Sequence, residues 1–155
     1  MTAKPVPDAL ALARDCAERM YAADRASRAL GICIEIPAPG SAEARMSITS
    51  NMVNGHDICH GGYLFTLADT AFAFACNAYG KVAVAAGATI EFLAPARLDD
   101  HLLAVATEVS RSGRNGLYDV RVTNQENRLI AVFRGRSTTL NDPAPDAASR
   151  PRSAS

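Results

Sequence analysis

Between His60 and Lys81 the chain carries twenty residues, GGYLFTLADTAFAFACNAYG, with a single charge among them, Asp69. No other segment restricts the fold as much, because a helix apolar nearly all round must be surrounded by other structure. The run approaches the length of a bilayer-spanning helix. A central aspartate, hydrophobicity carried largely by alanine and no basic cluster at either end argue against a membrane span. The segment instead predicts a helix from about Gly62 to Tyr79, buried in a soluble protein, with Leu64, Leu67, Ala68, Ala71 and Ala75 at helical spacing. A carboxylate in such surroundings is costly unless something uses it.

The flanking sequence supplies what could surround such a helix. Residues 9 to 30 are helix formers with charges spaced for a solvated face, and Gly31 is expected to end that helix. GICIEIP reads as a strand stopped by Pro37, and EARMSITSNMV resumes an extended pattern after a Pro-Gly-Ser turn. The polar loop NGHDICHGG then leads into the apolar helix. Downstream, VAVAAGATIEFLAP is expected to run as a strand to Pro95. LLAVATEVSR and LYDVRVTN flank an SGRNG turn, and LIAVFRGRSTTL follows a QENR turn. From Asn141, NDPAPDAASRPRSAS holds three prolines and no large apolar residue. A single domain over residues 1–140 with a disordered tail over 141–155 is therefore expected. One long helix wrapped by a curved antiparallel sheet is the α+β arrangement called the hot-dog fold.

Composition excludes some classes of function. Sixteen basic residues balance sixteen acidic ones, so no overall field draws nucleic acid or an anionic membrane. Four scattered cysteines lack the density of a disulfide framework, and no secretory leader is visible, so a reduced, cytoplasmic protein is expected.

Several residues are candidates for chemistry. Asp69 could be a structural aspartate paired with a nearby arginine or a backbone donor. Its helical neighbours Phe65, Thr66, Phe72 and Ala73 offer no cation, which favours a general base or nucleophile with a raised pKa. Gly61 and Gly62 permit a tight loop-to-helix turn. They would also present unpaired N–H groups, at the positive end of a helix dipole, to an oxyanion. His56 and His60 lie in the same loop with Asp57 and Cys59, but no second cluster at ligand spacing exists, so no metal is expected. Cys59 reads as packing. Arg111, Arg114, Arg134 and Arg136 on the late strands are either a solvated edge or contacts to a phosphate-bearing substrate. No dinucleotide or Walker-type loop is present.

The stretches NGHDICHGGYLFTLADTAFAFACN, TIEFLAPA and GLYDVRVTNQENRLIAVFRGRS resemble the hot-dog acyl-CoA thioesterases, and within them the phenylacetate-degradation group. The resemblance runs from about Leu30 to Leu140 and rests on Asn54, His60-Gly61-Gly62 and Asp69 in combination. It implies Asp69 as base or nucleophile and the Gly61 N–H as the group that polarises the thioester carbonyl. It further implies Asn54 as an orienting residue, His60 beside the oxyanion glycine, and Gly62 at the substrate. A Ser or Thr near the next strand positions water in such proteins, and Thr89 is the nearest here. The arginines would meet the CoA phosphates. No cofactor is implied, and the assembly is a homodimer paired into a homotetramer.

Spacing adds a constraint of its own. Asp69 follows Gly61 by eight residues, about 12 Å along a helix. Reacting atoms must approach within about 3–3.5 Å. One carbonyl carbon cannot meet both groups of one chain, so the two are expected to come from different subunits. The function that the resemblance implies is hydrolysis of an aryl-acetyl-CoA in aromatic catabolism. Hydration of an acyl thioester, and non-catalytic binding of acyl-CoA or a small aromatic, are the rivals.

Overall fold

The computed structural model of the chain describes residues 8–143. Helix α1 (Ala9–Ala23) begins where the Asp8 carboxylate accepts the Leu10 N–H at 3.3 Å. The single helix expected over 9–30 is divided at Asp24. That carboxylate accepts the Ser27 N–H at 2.9 Å and caps a second, short helix, α2 (Arg25–Ala29). A short acidic side chain competes with the helical ladder for backbone donors, which is why the break falls there.

Six strands form one antiparallel sheet. They are β1 (Cys33–Ala38), β2 (Ser41–Ser47), β3 (Lys81–Phe92), β4 (His101–Ser112), β5 (Asn115–Thr123) and β6 (Leu129–Pro143), in the spatial order β1-β2-β4-β5-β6-β3. Strand β1 runs through Pro37 instead of stopping at it. It is an edge strand, so the missing N–H costs no ladder bond, although the register shifts between Glu35 and Ala38. Strand β3 ends at Phe92, short of Pro95, because the N–H groups of Leu93 and Ala94 turn to the Ile130 carbonyl at 2.8 and 3.2 Å. Strand β6 continues to Pro143, opposite Lys81, so the expected tail boundary at Asn141 falls inside a strand. The rest of that expected tail, 144–155, lies outside the described residues.

The apolar segment forms helix α3 (Gly61–Cys76), packed against the sheet. It starts one residue before, and ends three residues before, the span read from periodicity. The end is set by Asn77. Its Nδ2 donates to the carbonyls of Ala73 and Ala83 at 2.9 and 3.0 Å, and its Oδ1 accepts the Ala83 N–H at 2.9 Å. One amide thus ends the helix and ties it to β3.

Alanines on the sheet, Ala42, Ala44, Ala104 and Ala106, are fully buried and let the helix approach closely. Phe72 packs between Tyr118 and Phe133, with ring centroids 5.6 and 5.7 Å away. Beneath it Gly135 has no room for a side chain, since a Cβ there would stand 2.8 Å from the Phe72 ring. Gly135→Ala is therefore expected to destabilise the fold by about 1–3 kcal/mol through overpacking. Thermal unfolding would show a Tm several degrees lower, and an unchanged Tm would mean that the ring has room to shift.

Two surfaces of the single chain stay open. From Leu64 to Cys76 every α3 residue is buried except Phe65, Thr66, Asp69 and Ala73, which form one stripe of the helix. Strand β3, at the sheet edge, exposes most of its length, including Val84 and Phe92.

Candidate active site

The loop before α3 is built by its own polar groups. An antiparallel bridge joins Val53 to Cys59, and the His60 N–H donates to the Met52 carbonyl at 2.7 Å. Inside it the Asn54 Oδ1 accepts the N–H groups of His56 and Ile58 at 2.9 and 3.4 Å. Asn54 thus shapes the loop with its carbonyl oxygen. Its amide NH2 has no acceptor among the described residues and remains a donor.

His60 is the N-cap of α3, and its Nδ1 accepts the Gly62 N–H at 3.0 Å. As an acceptor Nδ1 carries no proton, so the neutral ring holds its hydrogen on Nε2. Of the two glycine donors considered from sequence, Gly62 is engaged by the histidine. The Gly61 N–H has no acceptor among the described residues and lies at the positive end of the helix dipole. The ring of Phe92, at the end of β3, lies against Gly61, since a Cβ there would meet its Cζ at 2.9 Å. Sequence reasoning passed over Phe92, because only the sheet brings the two together.

Asp69 lies two turns along α3 on the uncovered stripe, half-buried. Burial pushes its carboxyl above the usual value, and no cation or hydrogen bond among the described residues offsets this. Cys59, by contrast, is a packing residue whose thiol is raised to about 11 by burial and then by Asp100. Among the described residues no group of three or more His, Cys, Asp or Glu gathers around a point suited to a metal ion.

The remaining sequence candidates separate. Thr89 is exposed on β3, opposite Arg134 in register, and bonds to none of the loop residues. Arg134 forks onto Asp119 at 2.6 and 2.8 Å, which lowers the Asp119 pKa. Arg136 donates to the Ala86 carbonyl at 3.2 Å. Arg111 and Arg114 alone of the four line a common cavity, at the far end of α3, together with Lys81. A wider cleft between α1 and β1 touches none of the candidate residues.

The site thus has one free backbone donor at a helix N-terminus and one isolated carboxylate about 12 Å away on an uncovered helix face. Such groups can stabilise an oxyanion and activate water or attack a carbonyl.

The profile of the Thioesterase superfamily matches residues 56–131, which include the glycine pair, Asp69 and Thr89. The acyl-coenzyme A thioesterase PaaI of Escherichia coli K12 is 46% identical over 121 residues, covering 78% of this chain and 86% of that protein. The structure of the E. coli PaaI protein, from the phenylacetic acid degradation operon, superposes with a TM-score of 0.86 at 42% identity. It covers 88% of this chain and 99% of that one. A protein of Thermus thermophilus superposes with a TM-score of 0.72 at 35% identity, covering 76% and 98%.

Proposed function

The chain belongs to the thioesterase superfamily of hot-dog proteins, and from that premise we propose that it hydrolyses aryl-acetyl-CoA thioesters to the free acid and CoA. Phenylacetyl-CoA and its hydroxylated forms are the substrates, and aromatic catabolism is the setting. The observation that carries the reading is Asp69, a carboxylate raised by burial and left without a partner on the open face of α3. The E. coli relative's name supplies the acyl-CoA class, and the operon of the solved E. coli protein supplies the phenylacetyl group.

In this reading the Gly61 N–H donates to the thioester carbonyl oxygen, and the bond strengthens as negative charge develops there. A donor so placed contributes about 3 kcal/mol to the transition state. Asp69 either takes a proton from the attacking water or attacks the carbonyl itself, and the CoA thiolate leaves. The free Asn54 amide orients the reacting groups, and His60 engages Gly62, so that Gly61 is the donor left without an acceptor among the described residues. In the same reading Thr89 holds water, and Arg111 and Arg114 meet phosphate. Arg134 and Arg136 are already bonded within the sheet and drop out of that role.

The about 12 Å between Gly61 and Asp69 supports a site built from two chains. The open α3 stripe and the exposed apolar β3 edge support a homodimer, because an unprotected edge of this length invites strand pairing. Two such dimers would pair into a tetramer. One catalytic domain per chain extends to Pro143. Its four cysteines are free thiols, in keeping with the cytoplasm, and no helix among the described residues is long and apolar enough to cross a membrane.

Release of free thiol from phenylacetyl-CoA tests the function. A binding module would release none, and a hydratase would alter the acyl chain with the thioester intact. Single turnover in oxygen-18 water then separates the two roles of Asp69. Label in the Asp69 carboxylate means an anhydride intermediate opened at the aspartyl carbon, and label in the product acid alone means that water attacked the acyl carbon.

A further inference from the structure

Two phenylalanines with exposed rings flank the free donor of Gly61. Phe92, the last residue of β3, brings the tip of its ring against that glycine. A Cβ built there would stand 2.9, 3.3 and 3.4 Å from Cζ, Cε1 and Cε2 of Phe92. Phe92 is nonetheless 54% exposed, so much of the ring stays open beside the N–H. The second, Phe65, follows Gly61 by about one helical turn and is 36% exposed on the uncovered stripe of α3. Long side chains of a helix lean toward its N-terminus, so this ring lies over the turn that Gly61 opens.

A common row of apolar side chains supports both rings. Phe65 meets the buried Phe133 edge-on, with ring centroids 5.4 Å apart and planes at 72°. Phe133 stands opposite Ile90 in the β3–β6 ladder, and cross-strand partners share a face of the sheet. Phe92 comes two residues after Ile90, hence on that same face, toward the helix. Glu91 between them takes the other face. Exposed aromatic surface gathered beside a reacting group marks a place for an apolar part of a ligand.

CoA itself does not supply such a part. Its pantetheine arm carries amides and its nucleotide carries phosphates, which seek hydrogen bonds and charge. An aryl ring instead pairs with phenylalanine rings, edge-on or offset, at centroid distances of about 4.5–7 Å. In an aryl-acetyl thioester a single methylene separates the carbonyl from the ring. With the carbonyl oxygen on the Gly61 N–H, that ring falls within aromatic reach of a phenylalanine whose tip touches Gly61.

We infer that Phe92 and Phe65 form the wall that receives the aryl ring and so set the preference for aryl over alkyl acyl groups. Both stand in the chain that donates Gly61. The inference rests on the thioesterase reading for the acyl-CoA class and deepens it by naming residues that choose the acyl group. The same rings border the surfaces open to a second chain, so packing on the partner is the competing role.

Phe92→Leu and Phe65→Leu are the variants to make, because leucine keeps apolar bulk and loses the aromatic face. Titration calorimetry uses two CoA ketones, phenylacetyl and hexanoyl, in which a methylene between sulfur and carbonyl prevents hydrolysis. Each variant is expected to bind the aryl ketone about three- to tenfold more weakly and the alkyl ketone within about twofold of wild type. The ratio of kcat/KM for phenylacetyl-CoA to that for hexanoyl-CoA should fall by the same factor. Phe92→Tyr should keep the aryl preference. An unchanged preference in Phe92→Leu overturns the inference, and so does a wild-type protein that does not favour the aryl ketone. Equal losses for both ketones overturn it as well, and a smaller species on gel filtration would then show the rings to be interface packing. Phe92 is the more exposed of the two, so its variant decides the matter if Phe65→Leu fails to fold. A wild type that prefers the aryl ketone but releases no thiol from either thioester sinks the thioesterase reading and leaves the wall standing.

Discussion

Asp69→Asn is expected to lower turnover of phenylacetyl-CoA by at least about a hundredfold while substrate binding persists, since the amide keeps the shape but neither takes a proton nor attacks. The same substitution should raise stability at neutral pH. Burial lifts the Asp69 pKa, so the native state favours the protonated carboxyl. As pH rises from the ordinary carboxylate value of about 3.9 through the raised native value, the unfolded state loses its proton first and stability falls. Above the native value the whole penalty remains.

Asparagine carries no such penalty. The variant should therefore melt higher than wild type at pH 7, by about 2–4 °C for each kcal/mol relieved, and the gain should fade toward about pH 4. Calorimetric melting at both pH values, beside single-turnover rates, checks the pair of effects. Activity near wild type would sink the catalytic assignment. A lower Tm at pH 7 would show that Asp69 holds the fold through a bond not seen here.

Mixed dimers of Asp69→Asn and Asn54→Ala chains should recover roughly half of wild-type activity, although each homodimer is impaired at both sites. Asn54→Ala removes the acceptor for the His56 and Ile58 N–H groups, so its defect is confined to the loop that leads into Gly61. If loop and carboxylate come from different subunits, a mixed dimer collects both defects in one site. Its other site then has an intact loop and an intact Asp69. Differently tagged chains, co-expressed and purified through both tags, make the measurement direct. Activity at the mean of the two impaired homodimers would mean that each site is built within one chain. The distance between Gly61 and Asp69 would then have to be closed by a rearrangement of α3.

Much of this architecture was legible in the chain because it follows from local rules. An apolar run of twenty residues reads as a buried helix, and alternation across SGRNG reads as a hairpin. The errors arose where a side chain or a neighbour overrules the local pattern. Asp24 splits a stretch of good helix formers by capping within it. Pro37 survives in β1 because an edge needs no second ladder. Residues 141–143 look like tail by composition, yet they extend β6 beside β3. The four arginines were equivalent in sequence. Register pairs Arg134 with Asp119, and the sheet end groups Arg111 and Arg114 with Lys81.

The sequence by itself determined the long helix, the strand-rich remainder, the lone carboxylate and the eight-residue spacing that argues for a two-chain site. Each of these is a property of neighbours along the chain, where helical rise and side-chain period apply directly. Only the tertiary structure decided that His60 engages Gly62 and leaves Gly61 free, and that Phe92 lies on Gly61. It also decided that the open stripe of α3 runs through Asp69, and that cations from β3 and the β4–β5 hairpin meet at one cavity. Those arrangements depend on the sheet's strand order and curvature. Apart from the local His60–Gly62 cap, they bring together residues dozens of positions apart, and no local pattern in the chain encodes that distance.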